Sequence, residues 1–517
     1  MPKISLVMPI YRTEQFLARA IDSILDQDLQ DWELICVSDG YSRKANEIVR
    51  SYKDPRIKGI TIEHGGACKA RNEGAKISTG EYVSFFSSDF QAVPGMLRTW
   101  IRELEAHPEV DFVYGGYLFP DKKAFPAEEF DPYQMEAYNY IDGGFPLKRS
   151  VWEKYPWDEK IKSLNDWDFW LRIVKAGHKG YYMNGYYSYI AEYPRQGGLS
   201  HDSSTHWIER VKTVKANNGV PNRPIVVSSI GGTFFAKNTA KLLDADFNPM
   251  PSWKPHEYKM IYVLGFYIQF AKEQASMFVN SPEGCKKVIH WLGSDILQLA
   301  ELPFKNLKAL RQALGEKVDY QFCESEAKQK ELAEMGINTE VLPVLRDISK
   351  FTPIPLPKDF SVAVYMPGIN GQLYNQVLME NIVKNMPDVQ FYFFGNKAPT
   401  QIPKPYKNLE VLGWVDPMEV IKKSTALLRF TQHDGLPTSP MEFSMAGRFV
   451  LTNAEMPYVE KIEGYVDVEG KRKEIIEQIR ALKKRVKNGE KPDPKAGEYY
   501  REYLNPDKIK ARIYGLL

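Results

Sequence analysis

In the first 215 residues of this 517-residue chain, carboxylates stand where apolar runs end. Val37-Ser38-Asp39-Gly40 closes one run, Ser87-Ser88-Asp89 closes another, and Asp166 lies in Asn165-Asp166-Trp167-Asp168-Phe169-Trp170-Leu171-Arg172. Pro9-Ile10-Tyr11 ends the first run, and Gly66 to Gly74 reads GACKARNEG with Arg71 inside it. One carboxylate can hold a divalent cation that absorbs charge on a phosphate leaving group. A second can take the proton of an attacking hydroxyl. Each has structural work open to it as well: Asp39 as a turn residue, Asp89 as a turn or N-cap residue, and Asp166 as the N-cap of a helix over 167–175. Capping and proton transfer do not exclude one another.

A second group lies in Thr431–Val450, TQHDGLPTSPMEFSMAGRFV. Asp434 and Glu442 are separated by seven residues, Gly435 and Pro437 begin a turn, and Ser439-Pro440 precede a helix that ends at Gly447. Free N–H groups at a helix start attract phosphate. A carboxylate one turn further on can accept a pair of vicinal hydroxyls. The same acids serve equally as a turn residue (Asp434) and an ordinary helix acid (Glu442).

The elements that must position these groups alternate. Apolar runs over Lys3–Ile10, Trp32–Val37, Ile57–Ile62 and Tyr82–Phe86 read as strands. Phe16, Leu17, Ala20, Ile21, Ile24 and Leu25 fall at helical spacing behind Thr13, an N-cap candidate, and Ala67–Ile77 reads as a helix. This rhythm predicts βαβ units, a mostly parallel sheet and a ligand beyond the strands' carboxyl ends. Ala216–Pro224 reads as a first joint and Asp347–Lys358, with three prolines, as a second. The expected division is 1–215, a short lobe 225–346, and a last lobe 358–517.

Composition narrows the class. Hydrophobic residues make 43% and charged residues 26%, which excludes a mainly disordered or collagen-like chain. The 68 basic and 66 acidic residues leave +2, so no overall charge points to nucleic acid. Thirty tyrosines and ten tryptophans suit either large cores or stacking on sugars and bases. Cys36, Cys68, Cys285 and Cys323 show no metal or redox spacing, as expected in a reducing compartment. The N-terminus is too strand-like for a signal peptide. The longest apolar run, Met260 to Phe270, falls short of the roughly 20 residues of a membrane span. A cytoplasmic protein is expected. From Lys471 onward, 14 Lys and Arg face 7 Asp and Glu, and Ile475, Ile476, Ile479, Leu482 and Val486 form a helical stripe. That stripe suits peripheral docking on an anionic membrane or a closing helix packed on the last lobe.

Taken in order, the N-terminal stretches resemble the family 2 glycosyltransferases of the GT-A fold. The resemblance implies a nucleotide-sugar donor, with UDP as the default. Asp39 would bond the donor base, framed by Pro9 and Tyr11. Arg71 would lie beside base and phosphates, with Ser88 also at the donor. Asp89 would hold Mg2+ or Mn2+, and Asp166 would be the base of an inverting displacement. Two departures stand out: Ser38-Asp39 replaces the usual acid pair, and Ser87-Ser88-Asp89 replaces Asp-x-Asp. His201, in GLSHDSS, is either a further metal or phosphate ligand or a surface histidine.

Thr431–Val450 resembles the nucleotide-binding half of GT-B glycosyltransferases of family 4, where Glu-x7-Glu recurs and Asp434 here stands for the first Glu. Asp434, Gly435, Ser439 and Glu442 would bind a donor without a metal. His290-Trp291-Leu292-Gly293-Ser294-Asp295 resembles the strand-end segment of that fold's first lobe, and Gly395 and Gly413-Trp414-Val415 resemble the base-binding edge of its second. The usual diphosphate clamp is missing from PGINGQLY (367–374), with Arg346 and Arg429 as substitutes. The implied fold is α/β throughout, a GT-A domain followed by two Rossmann-like lobes. The implied function is sugar transfer to a glycan, lipid-linked or protein acceptor. Three readings stay open: two active modules, one active module with a degenerate helper, or a carbohydrate-binding protein without chemistry.

Overall fold

Ile4, Leu6, Val7 and Met8 are fully buried on both faces of the first strand, β1 (Ile4–Ile10), which places it in the middle of a sheet. The computed structural model describes the chain except residues 126, 193–206, 230–232, 249–257, 368–374, 397–405, 432–436 and 463–467. Two units emerge, Met1–Arg223 and Pro224–Leu517.

In the first unit β1 pairs in parallel with β2 (Trp32–Asp39) on one side, and β2 with β3 (Ile57–Ile62) beyond it. On its other side β1 pairs in parallel with β4 (Tyr82–Ser84). The remaining strands are β5 (Phe90–Ala92), β6 (Phe112–Leu118), β7 (Ala124–Phe125), β8 (Leu147–Lys148) and β9 (Gly180–Ala191). They complete a mixed sheet ordered β3-β2-β1-β4-β8-β6-β9-β5, with β7 paired to β6. β8 runs antiparallel to β4 and β6, and β5 antiparallel to β9. Strand order reverses between β1 and β4, and a crevice opens at such a switch point. The helix Ala67–Ile77 lies close on this sheet: a Cβ at Gly74 would stand 2.4 Å from Val7 Cγ1 and 2.8 Å from Val37 Cγ2, so only glycine fits.

The second unit holds two wholly parallel six-stranded sheets. The first comprises β10 (Ile225–Ser228), β11 (Asp246–Asn248), β12 (Met260–Leu264), β13 (Lys286–Trp291), β14 (Tyr320–Cys323) and β15 (Glu340–Val341), ordered β11-β10-β12-β13-β14-β15. The second comprises β16 (Ser361–Tyr365), β17 (Gln390–Phe394), β18 (Leu409–Gly413), β19 (Ala426–Arg429), β20 (Phe449–Thr452) and β21 (Glu460–Lys461), ordered β18-β17-β16-β19-β20-β21. The second has the 3-2-1-4-5-6 order of a Rossmann sheet, and the first begins 2-1-3, the other common doubly wound order. Buried Arg448 donates to the carbonyls of Ile354, Pro355 and Ile421, tying the proline-rich joint to the second sheet. The chain then returns to the first sheet: Ile509, Ile513 and Leu516 enter the core formed by Ile225, Val227 and Met260.

The helix Val468–Lys487 settles the choice left open for the basic tail. Ile475, Ile476, Ile479 and Leu482 are buried against Val362, Phe391 and Leu428, with Val486 packed at their margin. This apolar stripe is core, so the membrane reading loses its hydrophobic face. Among the described residues no helix is long and apolar enough to cross a membrane. Ile479→Ala should cost about 2–5 kcal/mol of stability, the range for a buried large-to-small change, read as a lower denaturant midpoint. An unchanged midpoint would show that this face is not core.

Candidate active site

The carboxyl ends of β1, β2 and β4 bring the predicted residues of the first unit to one edge of the sheet. At β2, Asp39 is buried and capped by a turn: its Oδ1 accepts from Gly65 N at 2.8 Å and its Oδ2 from Gly66 N at 3.0 Å. His64 Nδ1 lies 3.0 Å from the same Oδ2, and the His64 ring stacks on Tyr11 at 4.6 Å. Gly66 has φ of +94°, a conformation that turns its N–H toward Asp39 at little cost only for glycine. Tyr11 stays 47% exposed and presents a flat aromatic face beside that carboxylate.

At β4 the chain leaves the sheet through Ser87-Ser88-Asp89. Ser88 is buried; its hydroxyl donates to Pro9 O at 2.8 Å and lies 2.7 Å from Thr13 Oγ1. Ser88 and Pro9 therefore lock the ends of β4 and β1 together. Thr13 makes no capping bond to the helix Glu14–Leu25, and its hydroxyl turns to Ser88 instead. Ser87 Oγ donates to Asp89 Oδ1 at 2.6 Å, and Arg19 Nη2 holds the Asp89 carbonyl at 3.1 Å. Among the described residues no three His, Cys, Asp or Glu side chains converge as metal ligands. One carboxylate with hydroxyls beside it remains a suitable donor set for Mg2+ or Mn2+, hard ions that complete their shell with water and substrate phosphate.

Asp166 comes from the helix Asn165–Lys175, whose first turn it occupies; Leu164, not Asp166, is the residue at the cap. Asn139 Nδ2 donates to Asp166 Oδ2 at 2.9 Å. Burial and the neighbouring Asp142 carboxylate push Asp166 up to about 6, against the pull of the Trp167 N–H and the Arg71 guanidinium. Arg71 stacks over the Trp157 ring at 4.1 Å and donates to Asn165 Oδ1 at 3.3 Å. Asp142 itself is raised by burial, opposed by hydrogen bonds from Tyr189 and Gly144.

Pro9, Tyr11, Asp39, Arg71, Ser88, Asp89 and Asp166 thus all lie at the carboxyl end of this sheet or on the helices that flank it. Asn139, Asp142 and Tyr189 escaped the sequence reading. The one signal for them was Asp142-Gly143-Gly144, a turn sequence carrying an acid. His201 lies outside the described residues.

In the second unit Asp434 and Gly435 lie outside the described residues. Glu442 sits on the helix Thr438–Met445, and burial raises its pKa against the pull of Arg346, Lys350 and Arg429. Ser439 is buried and accepts from Arg429 Nη1 at 2.8 Å. Arg346 and Arg429, the arginines considered as substitute clamps, both act on Glu442. Gly395 and Gly413, at the ends of β17 and β18, bond N–H to carbonyl at 2.8 Å, next to exposed Trp414. In the first sheet, fully buried His290 pairs with the Tyr262 hydroxyl at 2.5 Å, and burial takes it down to about 3. Asp295 accepts from the N–H groups of Phe266, Leu292 and Ile296 at 2.8, 3.1 and 2.9 Å, a structural role.

Residues 5–155 match the family described as glycosyl transferase family 2. Glycosyltransferase MJ1057 of Methanocaldococcus jannaschii, itself uncharacterized, is 28% identical over 193 residues, 34% of this chain and 67% of its own length. EpsJ of Bacillus subtilis, an uncharacterized glycosyltransferase, is 34% identical over 138 residues, 26% of this chain and 39% of its own. WcaA of Escherichia coli, a glycosyl transferase named for colanic acid biosynthesis, is 28% identical over 185 residues, 34% of this chain and 66% of its own. The chain thus spans between about two fifths and two thirds of these relatives' lengths. Among solved structures, Anabaena Alr3699/HepE with UDP-glucose aligns over 59% of this chain and 88% of its own at 16% identity, TM-score 0.41. TarS 1-349 of S. aureus with UDP-GlcNAc aligns over 61% and 80% at 16% identity, TM-score 0.37.

A carboxyl raised in the folded state binds its proton more tightly there than in the unfolded chain. Asp166 should therefore remove stability as pH rises from the unfolded value near 4 to about 6. The Asp166→Asn variant should lose less stability over that window, read from thermal midpoints at each pH. A parallel pair of curves would contradict the raised carboxyl. The family match and the relatives agree: residues 5–155 of this chain form a family 2 glycosyltransferase domain.

Proposed function

We propose that the first unit transfers a sugar from a nucleotide-sugar donor, UDP-linked by default, to a hydroxyl of a glycan, lipid-linked or protein acceptor. The observation that carries this reading is Asp166: a carboxylate held by Asn139 through one oxygen, raised to about 6, at the edge of the sheet that also carries Asp89. A base poised near neutral pH matches the proton transfer asked of it. The acceptor oxygen attacks the anomeric carbon, and the bond from that carbon to the diphosphate oxygen breaks. The acceptor proton passes to Asp166, and the nucleoside diphosphate leaves with the bonding electrons. A single displacement inverts the anomeric centre.

Asp39, Tyr11 and Pro9 would frame the donor base, with the Tyr11–His64 stack as its platform. Arg71 would face the diphosphate, and Ser88 would hold the edge of the donor pocket in place. Asp89 would hold Mg2+ or Mn2+ together with the diphosphate. When bound, the ion supplies positive charge for the leaving group. The near-neutral charge of the chain gives no footprint for nucleic acid.

The second unit supports a further reading, a GT-B-like module with its own donor and no metal. Its basis is Glu442 under the field of Arg346, Lys350 and Arg429 at the edge of a Rossmann-like sheet. Glu442 would bind ribose hydroxyls, with Ser439, Asp434 and Gly435 beside it and the cations facing phosphate. The alternative is a degenerate module that binds nucleotide or glycan without turnover.

Asp166→Asn should lower kcat/KM by about 10²–10⁴, the span of general-base catalysis, while nucleoside diphosphate binding in calorimetry stays intact. Wild-type kcat/KM should climb with pH through about 6, because the base must be unprotonated. Full activity in Asp166→Asn would overturn the assignment. For the second unit, Glu442→Gln should remove a second linkage and leave the first; loss of the same single linkage in both variants would refute two-site transfer.

A further inference from the structure

Asp142 sits in the loop between the helix Pro132–Ala137 and β8, and its carboxylate is held by one oxygen only. Oδ1 accepts from the Tyr189 hydroxyl at 2.6 Å and from Gly144 N at 2.8 Å. Oδ2 has no hydrogen-bond partner among the described residues, and the residue is partly exposed.

The anchor is stiff. Tyr189 is fully buried and stacks on Phe90 at 4.3 Å and on Tyr117 at 5.6 Å. Trp170 Nε1 donates to the Asp142 carbonyl at 3.0 Å, and Ser84 Oγ to the Gly144 carbonyl at 2.6 Å. The two glycines allow close approach on both sides. A Cβ at Gly143 would stand 2.9 Å from Trp157 Cη2 and 3.5 Å from Asp166 Cβ. A Cβ at Gly144 would stand 3.0 Å from Phe90 Cε2, and Phe90 follows Asp89 in the chain. Asp142-Gly143-Gly144 therefore bridges from the neighbour of Asp89 to Asp166.

In an in-line displacement the transferred sugar lies between the leaving diphosphate and the attacked side of its ring. On the reading above, that is the space between Asp89 and Asp166. We infer that Asp142, through its free Oδ2, accepts a hydrogen bond from a hydroxyl of the sugar being transferred and so helps to select the donor. This rests on the donor reading of the first unit. A fixed carboxylate oxygen is a strong acceptor for such a hydroxyl. No covalent step is asked of Asp142.

The test compares ligands with and without the sugar on the full chain. UDP and GDP are titrated by calorimetry with Mn2+, beside UDP-glucose, UDP-N-acetylglucosamine and GDP-mannose. This is done for wild type, Asp142→Asn and Tyr189→Phe, each checked for folding by its thermal midpoint. Asp142→Asn should weaken the preferred nucleotide-sugar by about tenfold or more, as for a lost hydrogen bond to a charged group, and leave the bare diphosphate within about twofold. Tyr189→Phe, which removes one anchor and keeps the carboxylate, should weaken the same ligand less. Equal weakening of sugar-bearing and bare ligands, or none, overturns the assignment alone. A wild-type chain that binds none of the five overturns the donor reading and this assignment with it.

Discussion

Burial raises two acids, Asp142 and Asp166, at the carboxyl edge of the first sheet; Asp89 adds to the first and Asp142 to the second, and one guanidinium, Arg71, offsets both. Like charges in a site of low dielectric raise each other's affinity for a proton. The arrangement survives because each acid has its own supports. Asp166 lies in the first turn of a helix, where backbone N–H groups favour negative charge, and takes a bond from Asn139. Asp142 takes its bonds from Tyr189 and Gly144. Trp157 carries Arg71 on one face and stacks on Phe169 at 4.1 Å, while Tyr189 lies against Phe90 and Tyr117. Much of the aromatic content here is a wall that holds polar groups in place.

The second unit meets an acid–cation problem of its own at another sheet edge. Glu442 is buried enough to be raised, and three cations from the segment after β15 and the end of β19 pull it back. Arg448 fixes the proline-rich joint, and the final helix returns to the first sheet. These contacts make the two sheets one unit in which linker residues act on Glu442.

The legible parts of the fold were the long apolar strands. β1, β2 and β3 lie in runs of six to eight residues with little ambiguity. β5 and β8, at three and two residues, are too short to carry a period, and β9 (GYYMNGYYSYIA) sets tyrosine pairs among small and polar residues with no alternation to reveal its faces. Within the site, the positions of Asp39, Asp89 and Asp166 were legible because they fall at a strand end, in the turn before β5 and at a helix start. Asn139, Asp142 and Tyr189 were not, since a loop and a late strand bring them beside Asp166 only through tertiary packing. Thr13 shows the converse: its type fits an N-cap, but the bond to Ser88 wins. The basic tail read two ways because an amphipathic stripe does not say what covers it, and the second sheet does.

On this mechanism the sugar is transferred by a single displacement at one carbon, with Asp166 taking the proton. Its most direct test is the configuration of the sugar first released when water serves as acceptor from an α-linked nucleotide-sugar, followed by proton NMR before mutarotation, in wild type and Asp166→Asn. The β-anomer should appear first in wild type and be lost in the variant. Release of the α-anomer first would contradict it, because retention requires a different route than one attack assisted by this base.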